Sequence, residues 1–311
     1  MPTLLVNHPA FARHETPRGH PERVDRVIAV EHALSDAAFS PLVRVEAPPA
    51  PVEAIGRCHP LAYIEKLREL NPHDDEDLVA IDADTTMSPG TYEAALRGAG
   101  GAILAVDQVM SGAVNNAFSA SRPPGHHAET ARAMGCCFFN NAAIAARHAR
   151  AVHGVERVAI MDFDVHHGNG TQAIFWNDPG VLYASTHEMP LYPGTGAKSE
   201  TGEAGTIVNA PLHSGDGGEA FRAAMETAVL PRIAAFAPDL IIISAGFDAH
   251  HRDPLGNLNL EEADYAWATE KLMELAQKTA KGRIVSILEG GYDLTALARS
   301  SAAHVLTLMG A

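Results

Sequence analysis

VERVAIMDFDVHHGNG, residues 155–170, is the stretch on which the reading of this chain turns. The apolar run VERVAI reads as a strand, and a two-residue side-chain period aims Asp162, Asp164 and His166 at one point. Two carboxylates and an imidazole converging there form a candidate site for a divalent metal. His167 and Asn169 continue the run, while Gly168 and Gly170 let the backbone turn as the strand ends.

The same grammar recurs three times. VNNAFSA runs into SRPPGHHAE, where Pro123, Pro124 and Gly125 fix a turn before His126 and His127. PDLIIISAGFDAH reads as a buried strand leading to Gly246 and Asp248, and GRIVSILEGGYD ends in Glu289, Gly290, Gly291 and Tyr292. In open parallel α/β sheets, ligands bind beyond the carboxyl ends of the strands, so four such ends offer carboxylates, imidazoles and a phenol to one cleft.

Segments of helical period lie between the strands. Ser88 and Pro89 fit an N-cap and first turn for TYEAALRGAGGAILAVDQVM, residues 141–152 form a second helix, and Asn259 is placed to cap LEEADYAWATEKLMELAQKTA, which stops at Lys281 and Gly282. Alternating strand and helix indicate a largely parallel sheet with helices on its faces. Gly98, Gly100 and Gly101 fall inside a helical pattern, not at a strand-to-helix turn, so they signal close helix packing and not a dinucleotide site.

The chain has 311 residues and no linker-like segment dividing it, which favours one α/β domain spanning residues 1–311. Lys and Arg total 23 against 38 acids, a net charge of −15 that repels phosphate backbones, argues against nucleic-acid binding and suits a cationic partner. Three cysteines, Cys58, Cys136 and Cys137, lack paired metal spacing and make a disulfide framework unlikely. No stretch approaches the ~20 apolar residues of a membrane span, so a soluble, cytoplasmic protein is expected.

Asp164, His166 and Asp248 form a three-ligand set of the kind that leaves a catalytic metal one open position, and two carboxylates neutralise a divalent ion. Zinc is the default; iron(II), cobalt and manganese also suit such oxygen-rich ligation. Asp162 is the spare acid, placed to orient an imidazole. Of two adjacent imidazoles, one acts as base while its neighbour stays protonated, and Tyr292 can donate to a developing oxyanion. The chemistry is hydrolysis of an amide-like carbonyl.

SRPPGHHAE, GCCFFNNAAIA, MDFDVHHGNGTQ, YASTHE, YPGTG, SAGFDAHHRDPLG and LEGGYD together resemble the histone deacetylase and acetylpolyamine amidohydrolase family. The resemblance runs from HPERVDR near residue 20 to Tyr292, and Asn169 with HHGNGTQ is closer to the class II branch and its bacterial relatives. It implies an arginase-like α/β fold, zinc on Asp164, His166 and Asp248, and removal of an acyl group from an amine. By position, His127 corresponds to the general base, His126 to a partner linked to Asp162, Tyr292 to the carbonyl-polarising residue, and Asn169 to a hydrogen-bond partner of His127. The resemblance further implies a structural potassium ion held by Asp162, Asp164, His166, Ser185 and Thr186, partly through backbone carbonyls.

The family places an aromatic residue after the glycine of its GFC segment to wall the substrate tunnel, and this chain has Cys136 there, after Gly135. Tyr192, Leu255 and Gly290 match other lining positions, so the tunnel is expected to be wider on one side and to admit a bulkier acyl chain. HDDEDLVAIDAD, residues 73–84, reads as an acidic loop, and the resemblance makes Asp74 or Asp75 the rim acid holding the substrate backbone. His20, Glu22 and Arg23 match a segment bordering the pocket. The expected substrate is an acylated lysine peptide, favoured by a short loop before residue 90, or a small acylated amine such as an acetylpolyamine. A binuclear ureohydrolase would need bridging carboxylates where His126, His127 and Tyr292 stand; a pure acyl-lysine binder has no need of a base and an oxyanion donor together.

Overall fold

All four apolar runs are strands, and they lie side by side. The computed structural model describes residues 2–73 and 78–310. Its main sheet comprises β1 (Thr3–Asn7), β2 (Val43–Glu46), β5 (Asn116–Ser119), β6 (Val158–Asp162), β7 (Val181–Glu188), β8 (Ile207–Leu212), β9 (Leu240–Ala245) and β10 (Ile284–Leu288). The order is β2-β1-β5-β10-β9-β6-β7-β8, and every pairing is parallel. β3 (Val79–Ala80) and β4 (Thr86–Met87) make a separate antiparallel pair inside what the sequence presents as an acidic loop and its exit.

Helices cover both faces: α1 (Asp25–Ala33), α2 (Val52–Ile55), α3 (Leu61–Leu70), α4 (Thr91–Met110), α5 (Asn141–His153), α6 (Asn169–Phe175), α7 (Gly218–Ala224), α8 (Leu230–Phe236), α9 (Glu262–Thr279) and α10 (Leu294–Met309). Strand alternation divides the core. Ile242 points to the layer holding Ile55, Ile64 and the apolar faces of α4 and α5, while Ile241 and Ile243 point to the layer of Phe221, Ile233, Leu272 and Val305. A strand apolar at consecutive positions is what a sheet covered on both faces requires. Among the described residues no helix is long and apolar enough to cross a membrane.

Two helix starts differ from expectation. α4 begins after Gly90, without a side-chain cap, because Ser88 is occupied elsewhere: its hydroxyl accepts from Glu15 N at 2.8 Å. α9 is started by a capping box between Glu261 and Asp264, and Asn259 instead donates to Gly215 O at 2.9 Å. Two acids three residues apart satisfied the exposed amides better than one Asn further upstream.

The glycines of α4 serve packing, as their helical setting indicated. A Cβ on Gly100 would collide with the carbonyl of Pro48, and one on Gly101 would come within 3.1 Å of Ala47 and Ser119. In an exposed helix Gly→Ala stabilises by about 1 kcal/mol; here the sign reverses. Gly100→Ala is expected to lower stability by about 1–3 kcal/mol through overpacking, read as a lower urea midpoint at unchanged m-value.

Candidate active site and metal centre

β5, β10, β9 and β6 are consecutive in the sheet, so the segments leaving their carboxyl ends share one cleft. Strand pleating does not by itself aim the acids there. β6 ends at Asp162, and Asp164 and His166 lie in the bends beyond it. The two-residue rhythm persists because each carboxylate accepts the amide two residues on: Asp164 N donates to Asp162 Oδ1 at 3.1 Å and His166 N to Asp164 Oδ1 at 2.9 Å.

Asp248, delivered by β9, completes the cluster. His166 Nδ1 lies 3.1 Å from both Asp164 Oδ1 and Asp248 Oδ2. The other carboxylate oxygens are held by backbone amides, Asp248 Oδ1 by Val165 N and Asp164 Oδ2 by Gly290 N, each at 2.8 Å. All three side chains are buried. Burial disfavours a charge on His166, yet its bonds to Asp164 and Asp248 hold its pKa well above the ordinary range. Asp248 is pushed up to about 7 by burial and by Asp164 beside it. Two buried carboxylates around one imidazole nitrogen call for more positive charge than a single proton supplies, and this donor set fits a divalent cation.

The histidine pair is held in two unlike settings, ring centroids 4.1 Å apart. His126 Nδ1 meets Asp162 Oδ2 at 3.0 Å. Burial opposes its charge, but Asp164 and Asp162 outweigh burial and hold its pKa at about 10. His127 Nδ1 meets Asn169 Oδ1 at 2.8 Å, and the Asn169 amide donates to Glu129 Oε1 at 2.9 Å, which assigns the Asn169 oxygen to the imidazole. Nδ1 of His127 therefore carries the proton and Nε2 the lone pair. Burial and then the neighbouring His126 and His166 depress the His127 pKa well below the usual value.

Glu289, which sequence reasoning left without a role, cradles this pair from below. Its Oε2 accepts from Gly125 N at 2.7 Å and His126 N at 3.1 Å, and its Oε1 from Ser244 Oγ at 2.9 Å. Behind Asp162, Ser185 is its β7 partner in the register. Thr186 Oγ1 is buried without a partner, whereas Ser185 Oγ is engaged by His187 at 2.9 Å.

A cavity of about 330 Å³ opens over the cluster, with His127 and His166 among its lining residues. Gly135, Cys136, Tyr192, Leu255 and Tyr292 form its walls. The Tyr192 ring stands edge-on to His127 at 5.1 Å. Gly135 has φ +55°, and a Cβ there would sit 2.5 Å from His127 Cδ2, so only glycine leaves the imidazole its place. The Cys136 thiol turns to the rim, donating to Asp84 O at 3.1 Å, and all three cysteines are free thiols.

Two expected lining residues are placed differently. Gly290 does not line the cavity; it packs beneath the carboxylates, where a Cβ would collide with Asp248 Oδ2, because its amide is needed by Asp164. Arg23 turns to the surface and pairs with Asp25 at 3.3 Å, while His20 and Glu22 do border the cavity. Asp74 and Asp75 lie outside the described residues. The acid found at the mouth is Asp84, exposed and lining the cavity. It stands in the same acidic run, ahead of β4, where neither periodicity nor spacing singles out one carboxylate.

Two supports escaped sequence reasoning because most of their partners lie far along the chain. Glu22 is buried between Arg26, whose Nη1 is 2.8 Å away, and Arg122, whose Nε is 2.6 Å away. Arg26 also donates to the carbonyls of Glu289 and Gly291, each at 2.5 Å, and lies 4.8 Å over the Tyr292 ring. Asp253 accepts from Leu255 N at 3.0 Å, Tyr292 N at 2.7 Å and Asp293 N at 3.2 Å, tying the tyrosine turn to the Leu255 wall.

The histone deacetylase domain model matches residues 20–308. The histone deacetylase-like amidohydrolase of Pseudomonas aeruginosa is 40% identical over 280 residues, 88% of this chain and 73% of that protein. A probable deacetylase of Archaeoglobus fulgidus is 38% identical, covering 94% of this chain and 82% of its own length, and the chloroplastic histone deacetylase 14 of Arabidopsis thaliana is 39% identical, covering 98% and 77%. The crystal structure of the HDA15 HD domain superposes with a TM-score of 0.93 at 35% identity, covering 99% of this chain and 88% of that one. With the fold and the matched span in agreement, the chain belongs to the histone deacetylase family and is a hydrolytic deacetylase.

Proposed function

We propose that the whole chain works as one zinc-dependent deacylase that hydrolyses N-acyl-lysine, with Asp164, His166 and Asp248 as the zinc ligands. The observation that carries the reading is the buried meeting of those three donors at 3.1 Å beneath a cavity bordered by His127 and Tyr292. Metal dependence is typical of this family, and iron(II) suits the same ligands. When bound, the ion supplies Lewis acidity to the scissile carbonyl and lowers the pKa of water. Asp162, Asp164, His166, Ser185 and Thr186 are proposed to hold a structural potassium ion behind it; the partnerless Thr186 hydroxyl supports this.

The protein groups divide the proton work. His127, kept neutral and with its lone pair on Nε2, takes a proton from the attacking water; His126, kept charged by Asp162 and Asp164, stabilises the negative charge that develops beside it. Burial, only partly offset by Arg26, raises the Tyr292 pKa well above the ordinary tyrosine value, so its hydroxyl stays protonated and donates to the carbonyl oxygen as it becomes an oxyanion. When the C–N bond breaks, the proton held by His127 passes to the leaving nitrogen, giving a carboxylic acid and an amine that separate as carboxylate and ammonium. At the rim the exposed carboxylate of Asp84 can accept from peptide amides, the role that Asp74 or Asp75 is also proposed to fill.

The acidic balance suits lysine and polyamine alike, and an acetylpolyamine remains the second substrate reading. The exposed carboxylate of Asp84 at the mouth can accept the backbone amides of a peptide or the ammonium groups of a polyamine, so it does not separate the two. Side-by-side assays decide: acetyl-lysine peptide should be turned over faster than acetylpolyamine, the reverse order would transfer the substrate assignment, and inactivity on both would direct the search to another acyl group. Tyr292→Phe should lower kcat by about 100- to 1,000-fold while affinity for a hydroxamate inhibitor changes little; unchanged kcat would remove Tyr292 from the mechanism. With a thiol in place of an aromatic wall, Cys136→Phe should lower kcat/KM for butyryl-lysine relative to acetyl-lysine by about tenfold, a ratio that an inert wall would leave constant.

A further inference from the structure

Asp107 and two histidines meet far from the cleft. Asp107 lies in the last turn of α4, and His148 and His153 in the last two turns of α5. In this parallel sheet each of these helices ends where the next strand begins, so the cluster sits at the edge opposite the strand ends that hold Asp164 and Asp248. His148 Nε2 is 2.7 Å and His153 Nε2 2.6 Å from the same oxygen, Asp107 Oδ1. His148 is buried, while Asp107 and His153 are half-buried.

Two imidazoles and a carboxylate with their donor atoms within 4.8 Å of one another satisfy the ligand count of a zinc-class site. Ligands about 2.0–2.2 Å from a tetrahedral ion stand about 3.3–3.6 Å apart, so each imidazole must draw back from Asp107 Oδ1 by about 0.6–1 Å, a movement the half-buried Asp107 and His153 side chains can make. The negative ends of two helix dipoles add to the attraction for a cation. One neighbour opposes it. Arg57 Nη1 lies 3.2 Å from His148 Nδ1, and because arginine only donates, it keeps the His148 proton on Nε2, the atom an ion needs. Arg57 is exposed and can turn into solvent, letting the proton move to Nδ1.

We propose that Asp107, His148 and His153 form a second divalent-cation site of the zinc class, held weak by Arg57, that clamps α4 to α5. It takes an ion with water in the fourth position and bears on how firmly the two helices are joined; it has no part in the chemistry at the cleft.

Equilibrium dialysis of the full chain against zinc tests this, with bound metal counted and deacetylase turnover followed in parallel. Wild type should bind two zinc ions, Asp107→Asn should bind one fewer at unchanged turnover, and Asp248→Asn should lose the other. Arg57→Ala should bind the Asp107-dependent ion about tenfold more tightly, a gain that damage to the fold would not produce. Should Asp107→Asn fail to fold, His153→Asn makes the same comparison from the chain surface. Equal zinc counts in wild type and Asp107→Asn, or unchanged or weaker binding in Arg57→Ala, would overturn the site. A single ion lost on Asp107→Asn and retained on Asp248→Asn would leave this site standing and remove the zinc ligands assigned at the cleft.

Discussion

Four carboxylates, those of Asp162, Asp164, Asp248 and Glu289, are buried at the ends of three neighbouring strands, and the structure around them follows from the need to compensate their charge. A buried carboxylate persists only where hydrogen bonds and opposite charges replace its water. Backbone amides do most of this here. Asp164 N, His166 N, Val165 N, Gly290 N, Gly125 N and His126 N all point at carboxylate oxygens, and each can do so only because its segment has left the strand and turned. The loops take their shape from the acids.

That compensation also sorts the two histidines. Identical side chains at adjacent positions face Asp162 in one case and the neutral amide of Asn169 in the other. One imidazole is therefore held charged and the other neutral by partners 36 and 42 residues away. The charge each ring carries is set by the partner of its Nδ1 and not by its own chemistry.

Much of this was legible in the sequence. The four apolar runs with polar endings stated the parallel sheet and the cleft, since a two-faced core demands continuous apolar strands and the cleft must lie at their carboxyl ends. The order that makes β10 and β9 lie between β5 and β6 was not, because no local signal records which strands pair across the 168 residues from Asn116 to Ile284 or the 82 from Val158 to Leu240. Asp253 and Glu289, held largely by backbone amides, were not legible either, because an amide leaves no mark on a sequence pattern, and the ion pair of Glu22 with Arg122 was not, because nothing local pairs charges 100 residues apart. The helix caps at Ser88 and Asn259 erred for a related reason: both side chains had distant competitors for their hydrogen bonds. Asp84 hid in a run of acids that no sequence pattern tells apart.

Asp253 binds the amides of Leu255, Tyr292 and Asp293 with one carboxylate, and Arg26 grips the same turn from its other side through Gly291 O. One flank of the cavity is thereby a fixed jaw. Elsewhere on the wall, the thiol of Cys136 and the 40% exposed ring of Tyr192 make no bond to an ionised side chain among the described residues. Evolution can thus retool this pocket for new guests by editing a single bank, leaving the other to keep the phenol in register.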